Sequence, residues 1–320
     1  MLFRRIFRRG KLFKKPGLTQ NELEHEKVEI QFSPQSVRQL DRLQLVASRY
    51  LPGNQSGLRP SLRRKPAYDF REHRMYVPGD DIRYIDWKAS ARQEHIFIKQ
   101  GEQPKEATVY ILLDCSASMK WGDPPKHKAS LELAAALGYL VLAHGDRLAV
   151  VKLNRKTSSV LGPISGKGQI PRLLNYLQSI DFQGGLDMST VVRDFSLRAN
   201  GGLVMLISDF LETFDFSQVL EHLPAPTWDV IAFHLLHPLE LNPKMRGNYK
   251  IVDAETGKAV NYDIDHKALA IYQEHLNSWR KDLELACIEN NTFYTLIQAD
   301  WMLDREIIPY LRSIQIVNPL

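Results

Sequence analysis

The feature that most limits what this chain can fold into is a rhythm that begins at Thr108. Runs rich in Val, Ile and Leu alternate with stretches of helical spacing all the way to the C-terminus. TVYILL (108–113) reads as a strand and KHKASLELAAALGYLVLAHG (126–145) as a long helix. DRLAVVKLN and SSVLGPI read as a strand pair, IPRLLNYLQSI and MSTVVRDFSLRA as helices, GGLVMLISD as a strand, DFSQVLEHL as a helix and TWDVIAFHLL as a strand. KALAIYQEHLNSWRKDLELACIEN is a long helix, NTFYTLI a strand and DREIIPYLRSI a last helix. Strands that are apolar throughout are buried on both faces, and strands joined through helices are parallel. The expectation is a doubly wound α/β domain, mostly parallel, spanning 106–320.

Upstream the character changes. SPQSVRQLDRLQLVASRY (33–50) has a serine start signal, a proline in the first turn and Val37, Leu40, Leu43, Val46 and Ala47 at helical spacing, which predicts an amphipathic helix. Residues 51–105 are punctuated by Pro52, Gly53, Gly57, Pro60, Pro66, Pro78 and Gly79 between pieces such as AYDF, RMYV, IRYIDW and IFIKQ. These read as short strands and turns, so 33–105 is expected to be a helix plus a small β-rich module.

Residues 1–20 form a basic N-terminal tail. Arg4, Arg5, Arg8, Arg9, Lys11, Lys14 and Lys15 carry seven positive charges, and removing them takes the formal charge from +5 to −2. The basic balance therefore says nothing about nucleic acid, and none is expected as a partner. Phe3, Ile6, Phe7 and Phe13 lie near one face of a possible helix among these arginines. Two readings stand side by side, a solvated tail and peripheral contact with an anionic membrane through residues 1–15. No apolar run approaches the roughly 20 residues of a spanning helix, and neither a secretory leader nor a disulfide framework is evident with Cys115 and Cys287 alone. The expected location is the cytoplasm, with the inner face of the membrane as the alternative.

In a doubly wound sheet, ligands bind outside the carboxyl ends of the strands, where the strand order switches. Two strands end there in acid, TVYILLD at Asp114 and LVMLISD at Asp209, and Asp114 is followed by Ser116 and Ser118. Each alone has an ordinary explanation as a helix cap or turn residue. Together they suit a hard divalent cation, since magnesium takes oxygen ligands, keeps several waters and uses only one or two carboxylates. Ser116 and Ser118 would bind directly, with Asp114 and Asp209 in or just behind the first layer of ligands.

D-x-S-x-S after a buried strand, with a later strand ending I-S-D, resembles the metal-ion-dependent adhesion site of von Willebrand factor A-like domains. That family's loop threonine, usually in G-G-T, has its counterpart in GGLDMST, where Leu186 takes the threonine's place. Asp187, Ser189 and Thr190 are the alternative oxygen donors. YDFREHRMYVPGDDIRYIDWKASAR (68–92) resembles the signature of the bacterial domain of unknown function 58 family, and HPLELNPKMRGNYKIVDAETGKAVNYD is similar to a later segment of it.

Arg71, Arg74, Tyr76, Gly79, Asp80, Asp81, Arg83, Asp86, Trp87 and Arg92 carry that signature. They read either as an ion-pair network with Trp87 as an apolar anchor or as a docking surface. The resemblance implies a non-enzymatic, magnesium-dependent protein-interaction module, an adaptor or co-chaperone for a MoxR-type AAA+ ATPase. The alternative is a hydrolase or phosphatase using Asp114 at its strand end. A phosphatase of the haloacid dehalogenase type would have a second acid at position 116, and neither serine sits in a G-x-S-x-G elbow. Deleting residues 1–15 tests the membrane reading of the head: co-sedimentation with anionic vesicles falls on deletion, and equal sedimentation with and without the head leaves it a solvated tail.

Overall fold

A computed structural model describes residues 11–14, 28–45, 70–76, 85, 87–91, 96–101, 108–154, 159–211, 215–253 and 259–320. The chain divides into two compact units, Ser56–Ala107 and the remainder, Met1–Gln55 with Thr108–Leu320.

The larger unit is built on a six-stranded sheet. Its strands are β1 (Thr108–Asp114), β2 (Arg147–Leu153), β3 (Ser159–Ser165), β4 (Gly202–Ser208), β5 (Trp228–Leu236) and β6 (Phe293–Gln298). Their spatial order is β6-β5-β4-β1-β2-β3, parallel except for the antiparallel β2/β3 pair. The chain runs outward from β1 to β2 and then crosses to β4 on the other side. The switch of direction therefore falls between the adjacent strands β1 and β4.

Helices cover both faces, as a doubly wound sheet requires. They are α1 (Lys126–Ala143), α2 (Ile170–Gln178), α3 (Met188–Ser196), α4 (Phe216–Leu220), α5 (Pro238–Leu241), α6 (His266–Glu289) and α7 (Ile308–Ser313). Leu112, Leu153, Val204, Leu206, Val230 and Ala232 of the strands pack with Met188 and Val192 of α3, Phe216 and Val219 of α4, and Leu283 and Cys287 of α6. Side chains alternate along a strand, so the neighbours of Leu112, Ile111 and Leu113, face the other way. There α1 packs on the central strands and against α2. α1 is buried nearly all round, as expected of a helix that is apolar all round. At Gly138 a β-carbon would lie 2.6 Å from Leu173 of α2, so the two helices approach closely there. Among the described residues no helix is long and apolar enough to cross a membrane.

Three local readings change in the structure. The helix expected over 33–50 stops early, as Pro34–Leu40, and Leu43–Leu45 is a strand antiparallel to Val317–Pro319. Leu40 and Leu43 are buried, and Asp41 accepts hydrogen bonds from Tyr139 at 2.9 Å and Lys167 at 3.0 Å. These contacts tie the segment to the α/β unit rather than to the module in the 33–105 grouping. In the basic head, Lys11–Lys14 is a strand antiparallel to Gly247–Asp253, which pairs in turn with Ala259–Ile264. Residues 1–10 and 15, which carry the rest of the membrane reading, lie outside the described residues.

In the smaller unit, Phe70–Met75 and Phe97–Gly101 form an antiparallel pair and Trp87–Ser90 a short helix. Arg71 and Arg74 are on the first of these strands, and Tyr76 just beyond it is half-buried. Trp87 is 67% exposed. Gly79, Asp80, Asp81, Arg83, Asp86 and Arg92 lie outside the described residues.

Gly202 opens β4 with φ +143°, and a β-carbon there would sit 2.2 Å from the carbonyl oxygen of Thr108 at the start of β1. Gly202→Ala is expected to destabilise the fold by about 2 kcal/mol, through backbone strain plus forced separation of the central strands. Gly145, at φ +79° with nothing within 4 Å of its β-carbon position, is the control and costs about 1 kcal/mol on the same change. Urea unfolding midpoints of the two variants separate strain from collision.

Candidate functional site

The site grows out of strand register. Leu113 of β1 is paired with Ile207 of β4, so Asp114 and Ser208 are level at the ends of the two central strands. The Ser208 hydroxyl donates to Asp114 Oδ2, and the amide of Ser116 donates to Asp114 Oδ1 at 2.8 Å. The second bond is an Asx turn that swings the chain over the strand end. It brings the hydroxyls of Ser116 and Ser118 into a hydrogen bond with each other at 2.9 Å. Asp114, Ser116, Ser118 and Asp209 are all buried.

Beyond β4 the chain turns sharply. Phe210 has φ +52°, a left-handed conformation that costs a bulky residue about 1–2 kcal/mol. Its ring is fully buried against Phe216 and His234, with centroids 4.7 Å and 5.4 Å away, and its amide donates to Ser208 Oγ at 2.9 Å. Aromatic burial of this kind offsets the strain and holds the preceding Asp209 at the strand end.

Asp209 is not free. Its Oδ2 accepts from the ammonium of Lys126 at 2.7 Å, and its Oδ1 from the amide of Leu211 at 3.2 Å. Lys126 is the first residue of α1 and is 0% exposed. Its second bond, 2.8 Å, goes to Glu240 Oε1 in α5. Glu240 Oε2 accepts from the amide of His237, which completes a capping box on that short helix. His237 Nδ1 accepts from the Leu239 amide, so Nε2 carries the proton and donates to the Asp123 carbonyl at 3.2 Å.

Burial sets the titration of the cluster. It pushes the Asp114 carboxyl up to about 6, with the charge of Asp209 adding to the rise and the Ser208 and Ser116 hydrogen bonds opposing it. Burial also raises Glu240, against the pull of Lys126. For Lys126, burial would favour the neutral amine, but Asp209 and Glu240 more than reverse that and keep it charged. Cys115 has its thiol pushed well up, by burial first and by Asp114 second.

The loop around Gly184 does approach the strand end: Ala117 donates to the Gly184 carbonyl at 2.8 Å, and Gln183 to the Cys115 carbonyl at 2.9 Å. Leu186, however, is buried in the apolar cluster with Leu112 and Val192. Asp187 caps α3, accepting from the Thr190 amide at 3.2 Å and hydroxyl at 2.9 Å. Ser189 Oγ lies 3.5 Å from His222 Nε2. The alternative donors Asp187, Ser189 and Thr190 are thus engaged with the helix cap and with His222.

Two hydroxyls and nearby carboxylates form the donor set, which suits a hard cation rather than zinc. Among the described residues no group of three or more His, Cys, Asp or Glu side chains gathers to hold a metal. Adjacent ligands in a magnesium octahedron, with metal–oxygen distances of 2.0–2.1 Å, are about 2.9 Å apart. Ser116 and Ser118, held together by their own hydrogen bond, have a separation that two neighbouring ligands could keep.

Lys126 and Glu240 escaped sequence reasoning. A signal was present, because a lysine opening an otherwise apolar helix puts a cation at the positive end of the helix dipole, which is unfavourable without an acidic partner.

Residues 72–281 match the family described as "Protein of unknown function DUF58". The chain belongs to this family. Uncharacterized proteins of Mycobacterium bovis and Mycobacterium tuberculosis are 27% identical to it over 238 residues, covering 72% of this chain and 75% of theirs. Among solved structures, BatB from Bacteroides thetaiotaomicron has a TM-score of 0.36 at 14% identity, covering 65% of this chain and 98% of that one. A von Willebrand factor type A protein from Catenulispora acidiphila has 0.37 at 15%, covering 64% of this chain and 42% of that one. The DUF58 match takes in both acid-ended strands, Lys126 and Glu240.

His234 of β5, behind Asp209, is fully buried, with Nδ1 2.7 Å from the Tyr294 hydroxyl and its ring against Phe210 and Trp279. Burial holds its pKa down to about 3, so it is neutral in the fold. The unfolded chain takes up a proton near pH 6.5 and the folded one does not until about 3. The stability that His234 contributes is therefore complete above about 6.5 and falls by about 1.4 kcal/mol per pH unit below it, while Asp114, raised to about 6, acts in the opposite direction below that pH. His234→Gln should change the pH slope of the unfolding free energy between pH 6 and 4 by about 1.4 kcal/mol per unit relative to the wild type, as read by urea titrations of both proteins at each pH.

Proposed function

We propose that this DUF58 protein is a non-enzymatic interaction module that uses a divalent cation, magnesium in the first instance, to dock a protein partner. The observation carrying this reading is the pair of hydroxyls on Ser116 and Ser118, 2.9 Å apart beside the buried Asp114. Ser116 and Ser118 would hold the ion directly and Asp114 from just behind them, while Asp209 adds negative charge without leaving Lys126. Such an ion keeps open positions, and a carboxylate from a partner completes its shell.

A hydrolytic use of Asp114 is disfavoured by its surroundings. Both its oxygens accept hydrogen bonds, and Ser208 and Ser116 hold it in one orientation. A carboxylate nucleophile must present a free oxygen to its substrate. The partner class comes from the family resemblance: a MoxR-type AAA+ ATPase, which the module serves as adaptor or co-chaperone in the cytoplasm or at the inner face of the membrane.

Affinity capture with the intact chain tests this directly. An AAA+ ATPase should be retained in magnesium and lost in EDTA, and Ser116→Ala with Ser118→Ala should weaken magnesium binding by about 100-fold in calorimetry while the far-ultraviolet circular dichroism stays unchanged. Retention that is equal in EDTA and in the double variant would refute the metal-dependent reading.

A further inference from the structure

We infer that Lys126 is a tethered counter-ion that sets the affinity of this site for its cation, with Glu240 controlling how much of the ammonium's charge is delivered to Asp209. The inference rests on the metal-site reading above and adds the element that regulates it.

Lys126 has no exposure to water, and its ammonium lies 2.7 Å from Asp209 and 2.8 Å from Glu240. With Asp114, Asp209 and Glu240 ionised and Lys126 charged, the cluster carries a formal −2, which one divalent cation balances. Without the ammonium it would carry −3, and without Glu240 it would carry −1. Charges a few ångströms apart in a water-poor interior are weakly screened, so each such change alters the attraction for a second cation.

Lys126 is also held in place. It begins α1, its own amide donates to the Trp121 carbonyl at 3.0 Å, and Glu240 is fixed by the His237 amide and by the carbonyl contact from Tyr272 at 2.7 Å. The ammonium cannot swing out to solvent without breaking that frame, so it acts on the site permanently. A mobile surface lysine would be replaced by water and salt. Here the fixed ammonium occupies Asp209 Oδ2, which leaves the hydroxyls of Ser116 and Ser118 as the donors to an entering cation.

Two substitutions then act in opposite directions. Lys126→Met removes the competing charge and should tighten manganese binding at least tenfold. Glu240→Gln leaves the ammonium entirely to Asp209 and should weaken it several-fold.

Manganese, which reports its own binding by electron paramagnetic resonance, is titrated into the full-length wild type and each variant, with magnesium displacing it. Opposite shifts support the inference, because a purely structural role for the ion triad would lower stability in both variants and move affinity the same way. Wild-type binding with no shift, or with both variants weaker, overturns the inference and leaves the metal site standing. No manganese bound by any of the three proteins overturns both. Should Lys126→Met fail to fold, the near-isosteric Glu240→Gln decides with its urea unfolding measured alongside: weaker binding at unchanged stability supports the inference, and equal or tighter binding, or weaker binding together with lost stability, overturns it.

Discussion

The ammonium of Lys126, sealed between Asp209 and Glu240, joins three parts of the fold that are far apart in the chain: the start of α1, the end of β4 and the short helix α5. Removing one member of a buried ion group leaves an uncompensated charge, which typically costs about 3–5 kcal/mol. The arrangement is therefore hard to lose piecemeal. It also explains why a helix as apolar as α1 begins with a cation: the partner acids outweigh the unfavourable dipole at its N-terminus.

Around that triad the carboxyl end of the sheet is a buried polar cluster framed by apolar packing. Phe210 takes a strained backbone conformation and is held there by Phe216 and His234, which fixes where Asp209 points. On the other side, Leu186 fills the core under the Gly184 loop, so the loop contributes backbone contacts and no side-chain oxygen. In physical terms Leu186 spends this loop position on core packing. What remains is the hydroxyl pair on the turn after β1 and two carboxylates of unequal freedom. Asp209 is neutralised by a lysine, and Asp114 is oriented by two hydrogen bonds.

Much of this architecture was legible in the residues because it rests on local patterns. The strands could be read where apolar runs stop at Asp114 and Asp209, and the helices where spacing is regular, as over Lys126–Ala143 and His266–Glu289. The segment after Ser33 was misread as one helix, since Leu43 and Val46 keep helical spacing while Leu43–Leu45 is drawn into a strand by Val317–Pro319 at the far end of the chain. Glu240 was invisible as a site residue because its sequence context, a capping box after a proline, explains it fully.

The sequence by itself determined the layered α/β plan, the two acid-ended strands and the serines of the turn between them, since each follows from a pattern confined to a few neighbouring residues. Only the tertiary structure decided how those groups are charged and shared. The strand order that sets β1 beside β4, the loop that buries Leu186, and the 83-residue separation closed by Lys126 and Asp209 are outcomes of packing across the whole domain. A cation and two acids distant in sequence become one electrostatic unit when burial leaves them no water to prefer.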